Sequence, residues 1–128
     1  NVYGPGQISK GKMATVIGIF EEAFKKKKPL PVVLPGTQSR RFTHIDDTIN
    51  TCFLAWKRNL SRHYSISNRE SFTILQVANM FKSKKRFLKK RPGERYASAL
   101  ADMNLSNKVY KYFGKIKLKN YIDEIINN

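Results

Sequence analysis

A single cysteine, Cys52, leaves this chain of 128 residues without an internal disulfide framework or a cysteine metal site. No apolar run approaches the length of a membrane span, and no signal-peptide pattern is present, so a cytoplasmic protein with no membrane partner is expected. The two sequons, at Asn59-Leu60-Ser61 and Asn104-Leu105-Ser106, do not outweigh this. Catalytic signatures are scarce too. The only histidines, His44 and His63, stand outside any His-Glu-x-x-His, His-x-Cys or Gly-x-Ser-x-Gly pattern. His44 reads as a structural histidine, and the Asp46-Asp47 pair reads as a helix cap rather than a general acid and base. No catalytic residue and no metal ligand is assigned.

Acidic residues are few as well, nine against 25 basic ones, giving a formal net charge of +16. Such a balance raises one alternative, a basic nucleic-acid-binding module without enzymatic activity. A lysine-rich solvated surface accounts for most of it without that partner, because the longest run, Lys25 to Lys28, falls where cations meet the end of a helix.

What is present is the composition of a folded domain, 41% hydrophobic and 12% aromatic, sized for one core. Met13, Val16, Ile17, Phe20 and Phe24 recur at helical spacing and predict a helix over 12–27, ended by Pro29 and Pro31. "PVVLPG" predicts a strand entering a turn. "RRFTHIDD" looks extended and leads to a helix capped by Asp46 or Asp47, with Ile49, Cys52, Phe53 and Trp56 as its buried face and Cys52 an inert core thiol. "YSIS" is another strand candidate.

Thr73 and Gln76 have capping-box spacing, Phe72 and Val77 staple spacing, and Ile74, Val77, Ala78 and Phe81 give the next helix its inner stripe. "RFL" and "RYA" read as strands around the turn "RPGE". Helices are expected over 106–113, stopped by Gly114, and over 118–126. The sum is an α+β, helix-rich chain with short strands. Strands so short and scattered cannot make a large sheet by themselves, so some are expected to need partners from outside the chain.

Two arginines stand beside Pro-Gly turns rather than on solvated helix faces: Arg40 after "PGTQS", and Arg91 opening "RPGE". An arginine so placed suits bidentate recognition of phosphate oxygens.

Four motifs in order resemble one family. "NVYGPGQ", "LPGTQSRRFTHIDD", "YSISNRESFTILQVANMF" and "RPGERYASALADMNLSNKVYKYFG" are similar to the C-terminal, substrate-binding part of the extended short-chain dehydrogenase/reductases, the NAD-dependent nucleotide-sugar epimerases and dehydratases. The resemblance covers nearly the whole chain. It implies that residues 1–128 are one substrate-binding lobe, a fragment of a 4-epimerase-like or dehydratase parent with an N-terminal α/β Rossmann domain that is missing here. That domain would bind NAD and carry a Tyr-x-x-x-Lys pair. No tyrosine of this chain is followed four positions on by lysine, and no Gly-x-x-Gly-x-x-Gly is present, so the fragment alone is expected to be inactive.

Carried over by position, the resemblance makes Asn1 a ligand near the phosphates, Arg40 and Arg91 pyrophosphate contacts, Glu94 an acceptor for the ribose, and Val33 a wall for the base. The implied partners are a nucleotide sugar and the chain's own Rossmann domain, with the parent a homodimer. Arg41 stands where the family usually has Asp, and is expected to add charge near the phosphates.

Overall fold

Val2–Tyr3 (β1) lies parallel to Thr43–His44 (β4), so the chain leaves this point and comes back to it some forty residues later. The computed structural model describes residues 1–60, 63–92 and 109–128. Between β1 and β4 run helix Val16–Lys25 (α1) and strands Leu30–Val33 (β2) and Ser39–Arg40 (β3). Helix Ile45–Arg58 (α2) follows β4 directly. Then come His63–Ser67 (β5), Phe72–Thr73 (β6), helix Ile74–Met80 (α3), Lys85–Leu88 (β7), Val109–Phe113 (β8) and helix Leu118–Asn127 (α4).

The strands form four two-stranded pairs. β1–β4, β2–β7 and β5–β8 are parallel, and β3–β6 is antiparallel with Arg40 opposite Phe72. Every strand therefore keeps one edge without a strand partner among the described residues.

The core gathers Ile17 and Phe20 of α1, Leu30 and Val32 of β2, Phe42, the α3 stripe with Phe81, and Leu118 and Ile122 of α4. α1 begins at Thr15, whose hydroxyl accepts from the Gly18 N–H at 3.0 Å and donates to Gln7 at 2.8 Å. The helix thus starts four residues later than its periodicity predicts, and Met13 is 78% exposed instead of buried. A Cβ on Gly18 would come within 2.6 Å of the Ile8 carbonyl, so only glycine lets the 7–9 segment lie this close to the helix.

α3 carries the complete capping box. Thr73 Oγ1 accepts from the Gln76 N–H, and Gln76 Oε1 accepts from the Thr73 N–H. Ile74, Val77, Ala78 and Phe81 are all buried, as their spacing predicts.

Three expectations are corrected. The N-cap of α2 is His44, whose Nδ1 accepts from the Asp46 N–H at 3.2 Å, and Asp46 and Asp47 lie inside the first turn. The expected buried face of α2 points outward: Ile49 is 57% exposed, Phe53 54% and Trp56 77%, and Cys52 is exposed rather than an inert core thiol. The inward side is polar, with Asp47 and Thr51 buried. Lastly, Val109–Phe113 is a strand in register with β5, not the end of a helix, because an alternating aromatic stretch completes a parallel pair that local spacing does not reveal. The "RYA" segment and the start of the expected 106–113 helix lie outside the described residues. No helix among the described residues is long and apolar enough to cross a membrane.

Candidate functional site

A pocket of about 450 Å³ opens where β1, the first turn of α1, β2, β3 and the start of α3 converge. Asn1 and Val2 stand at one end, Thr15 to Ile17 with Ile19 form the α1 wall, and Pro31 and Val33 form the β2 wall. Gln38, Arg40 and Phe42 come from the returning segment, Ile74 from α3, and Leu88 with Arg91 from the end of β7. Asn1, Val33, Arg40 and Arg91, singled out in sequence on separate motifs, all line this one pocket. Glu94 lies outside the described residues. The lining residues that sequence reasoning missed are mostly apolar. Phe42 and Ile74 were inside quoted motifs, but as an aromatic strand position and a helix stripe, and nothing local marks them as pocket walls.

Local structure fixes the walls. One face of the β2–β7 pair lines the pocket, through the alternating Pro31 and Val33 of β2 and through Leu88, which stands opposite Val33. β3 pairs with β6 and places Arg40, half-buried, with one guanidinium nitrogen donating to the Ser39 carbonyl at 2.8 Å. Gly36 turns the chain between the two strands at φ +75°, where a Cβ would meet Leu75 at 2.6 Å. Gln38 is 1% exposed; its Nε2 donates to the Val33 carbonyl at 3.2 Å and its backbone carbonyl accepts from the Ile74 N–H at 3.1 Å.

Chemically, the pocket joins an apolar slot, suited to a flat ring, to two guanidinium groups, suited to oxyanions. The first turn of α1 adds the positive end of a helix dipole on the same side. Arg41 does not join this charge: its guanidinium donates to the carbonyls of Asn68 and Arg69 and so fastens the β5–β6 loop. The expectation that Arg41 adds charge at the site is thereby corrected. Adjacent residues of an extended segment point to opposite sides, and Arg41 takes the side away from the pocket.

A second polar cluster sits behind the site. The Tyr3, His44 and Tyr121 rings meet edge to face at 5.1 to 5.7 Å. Burial, with Asp47 nearby, pushes the Tyr3 hydroxyl well above the ordinary tyrosine range. Burial and then the Glu21 carboxylate push Tyr121 up to about 12. Tyr121 donates to Glu21 at 3.2 Å and accepts from Gln7 at 3.3 Å. These partnered groups, Tyr3 and His44 buried and Tyr121 half-buried, brace β1 and α4 against the start of α2.

The model of the NAD dependent epimerase/dehydratase family matches residues 1–67. The chain belongs to this family. A dTDP-L-rhamnose 4-epimerase from Burkholderia thailandensis is 28% identical over 82 residues, 62% of this chain and 23% of that protein. The chain also superposes on a UDP-glucuronic acid 4-epimerase from Bacillus cereus, solved with UDP-glucuronic acid and NAD, at TM-score 0.75 and 25% identity, covering 99% of this chain and 42% of that one. A UDP-N-acetylglucosamine 4-epimerase from Methanobrevibacter ruminantium has the same fold, at TM-score 0.79 and 23% identity, with 99% and 43% covered. The chain spans less than half the length of these relatives.

Family membership raises NAD as a cofactor, and the described residues do not fit it. A dinucleotide cradle needs a glycine-rich turn passing straight from a strand into a helix N-terminus. Here 12 residues separate Tyr3 from α1, and the backbone at Gly4 and Gly18 is closed over by Ile45 and by the Ile8 carbonyl.

Proposed function

We propose that this chain is the nucleotide-sugar-binding lobe of an NAD-dependent nucleotide-sugar epimerase, 4-epimerase-like, or dehydratase. Its pocket holds the nucleoside diphosphate. The convergence of Asn1, Val33, Arg40 and Arg91 on one cavity of about 450 Å³ carries this reading. The base lies against Val33 and the apolar walls, and the pyrophosphate meets Arg40 and Arg91 with Asn1 beside them. Glu94, three residues past Arg91, takes the ribose. Two guanidinium groups on a pyrophosphate give charge-assisted, bidentate bonds that fix the diphosphate and so aim the sugar.

The lobe contributes binding and orientation rather than proton or hydride transfer. NAD and the reacting groups belong to an N-terminal Rossmann domain of the parent enzyme, and the isolated lobe is inactive. The outward apolar face of α2 and the single-edged strand pairs support that arrangement, since each is a surface that a further domain would cover. The lone cysteine fits a cytoplasmic setting, and by family likeness the parent is a homodimer.

Calorimetric titration of the full chain with UDP, uridine and inorganic pyrophosphate tests the reading. UDP is expected to bind more tightly than either part alone. Equal binding of pyrophosphate and UDP would reduce the pocket to a surface anion site and overturn it.

A further inference from the structure

A second groove, of about 920 Å³, shares no wall residue with the pocket described above and takes none from α2. Its walls come from the C-terminal end of α1, from α4 and from the turn before β7. Phe24, Ile125 and Ile126, all half-buried, give it an apolar floor. Lys25, Lys27, Lys28 and Lys84 stand exposed on its rim. Two glutamates also line it and do not cancel this charge. Glu21 is taken by Lys25 at 2.6 Å and by the Tyr121 hydroxyl at 3.2 Å. Only Glu124 then remains to offset Lys27, Lys28 and Lys84, and none of these lysines forms an ion pair among the described residues.

The backbone shows that the cation at position 27 is not there for the sake of the helix. α1 closes with the Lys27 N–H donating to the Phe24 carbonyl and the Lys28 N–H to the Ala23 carbonyl, both at 2.9 Å. This closure holds Lys27 at φ +54°, in the left-handed region where glycine is the ordinary occupant. After α3 the same happens at Lys82, φ +52°, two residues before Lys84. Lys25, in the last turn, already meets the α1 dipole, so a further lysine in a conformation that favours glycine calls for another reason.

The chemistry of the groove selects its occupant. Concave walls do not fit a flat bilayer. Single-stranded nucleic acid is held by bases stacked on aromatic side chains, and the two rings lining this groove are engaged inside the protein, Phe24 with Phe81 at 6.0 Å and Tyr121 with Tyr3 and His44. Aliphatic side chains interspersed with carboxylates match both the floor and the rim.

We propose that this groove binds an acidic, extended segment of a partner protein, its aliphatic side chains on Phe24, Ile125 and Ile126 and its carboxylates on Lys27, Lys28 and Lys84. The proposal does not rest on the nucleotide reading, because the two sites have no residue in common.

Calorimetry on the full chain tests it with charge-matched probes: a blocked peptide alternating glutamate and leucine, polyglutamate, and oligothymidylate. The alternating peptide is expected to bind most tightly. Lys27→Gly and Lys84→Gln should each weaken it about twofold to fivefold, the worth of one exposed ion pair. Lys57→Gln, on α2, makes the same change of charge and should have no effect. Lys27→Gly fits the backbone better than the natural residue, so its loss of affinity does not come from a damaged helix end. Polyglutamate binding as well as the alternating peptide would show the apolar floor idle and overturn the proposal. Oligothymidylate binding at least as tightly would make the surface a nucleic-acid site and overturn it too. An equal loss in Lys57→Gln, unchanged affinity in both groove variants, or no binding of the alternating peptide has the same result.

Discussion

Asp47 and Ile116 are 69 positions apart, and the Ile116 N–H donates to the Asp47 carboxylate at 2.9 Å. The same residue's carbonyl accepts from Tyr3 at 3.4 Å and from Asn68 at 3.2 Å. One residue's main chain thus joins the first turn of α2, β1 and the β5–β6 loop to the approach of α4. Asp47→Ala strands a half-buried N–H and should cost about 1 kcal/mol, read as a lower urea midpoint. Asp47→Asn keeps an oxygen acceptor and should lose less. Equal losses in the two variants would show that charge, not acceptance, matters at this position.

At the pocket, Arg40→Met and Arg91→Met should each weaken UDP binding about tenfold to a hundredfold, the worth of a hydrogen bond between charged groups. Neither should alter the binding of uridine. Arg40→Lys keeps the charge but not the fork, and should recover only part of the loss. Calorimetry at one fixed ionic strength separates these outcomes. A uridine affinity that falls in parallel would mean the arginines shape the pocket rather than hold phosphate.

The α2 face should respond with opposite signs in two settings. Replacing Phe53 and Trp56 by serine should make the isolated chain more soluble and leave its melting temperature nearly unchanged, because both side chains stand in water there. In the protein with the proposed Rossmann domain attached, the same pair should cost about 3 kcal/mol or more. Unchanged stability of the longer protein would place that domain elsewhere.

Tyr121 sets an alkaline limit. Its folded-state pKa of about 12 stands above the ordinary value of 10, so the folded chain holds a proton that the unfolded chain has released. Its contribution is complete below pH 10 and falls as the pH rises from 10 toward 12. Tyr121→Phe should flatten the loss of stability over that window compared with the natural chain, although it removes the bonds to Gln7 and Glu21. Denaturant melts at pH 9, 10 and 11 give the slope. An unchanged slope would show that Tyr121 ionises equally easily folded and unfolded.

Local chemistry made part of this fold legible. The Thr73/Gln76 box and the α3 stripe depend on contacts three or four residues apart, and both appear as read. The pocket arginines were legible because each sits beside a Pro-Gly turn inside a recognisable motif. Periodicity found α2 but put its apolar side inside. A repeat of three and four residues shows that one face wants cover, and it does not say whether the cover lies within the chain. β8 differs from the expected helix for a related reason: Val109 to Phe113 is too short for its alternation to decide its state locally, and the strand depends on β5, far away in sequence. The cap of α2 falls to His44 because a neutral imidazole nitrogen accepts as an aspartate oxygen does, a possibility that Asp46 and Asp47 close by conceal.

The parallel contact of Val2 and Tyr3 with Thr43 and His44 gives the chain a drawstring. The segment from Gly4 to Phe42 is closed at its base by this contact, is held further along by the β2–β7 and β3–β6 pairs, and supplies most of the pocket wall. Lengthening or reshaping this segment changes what is recognised and leaves the contact at its base where it is. New specificity in such an architecture is open at the wall positions that face the cavity, while the core positions of the same segment stay fixed.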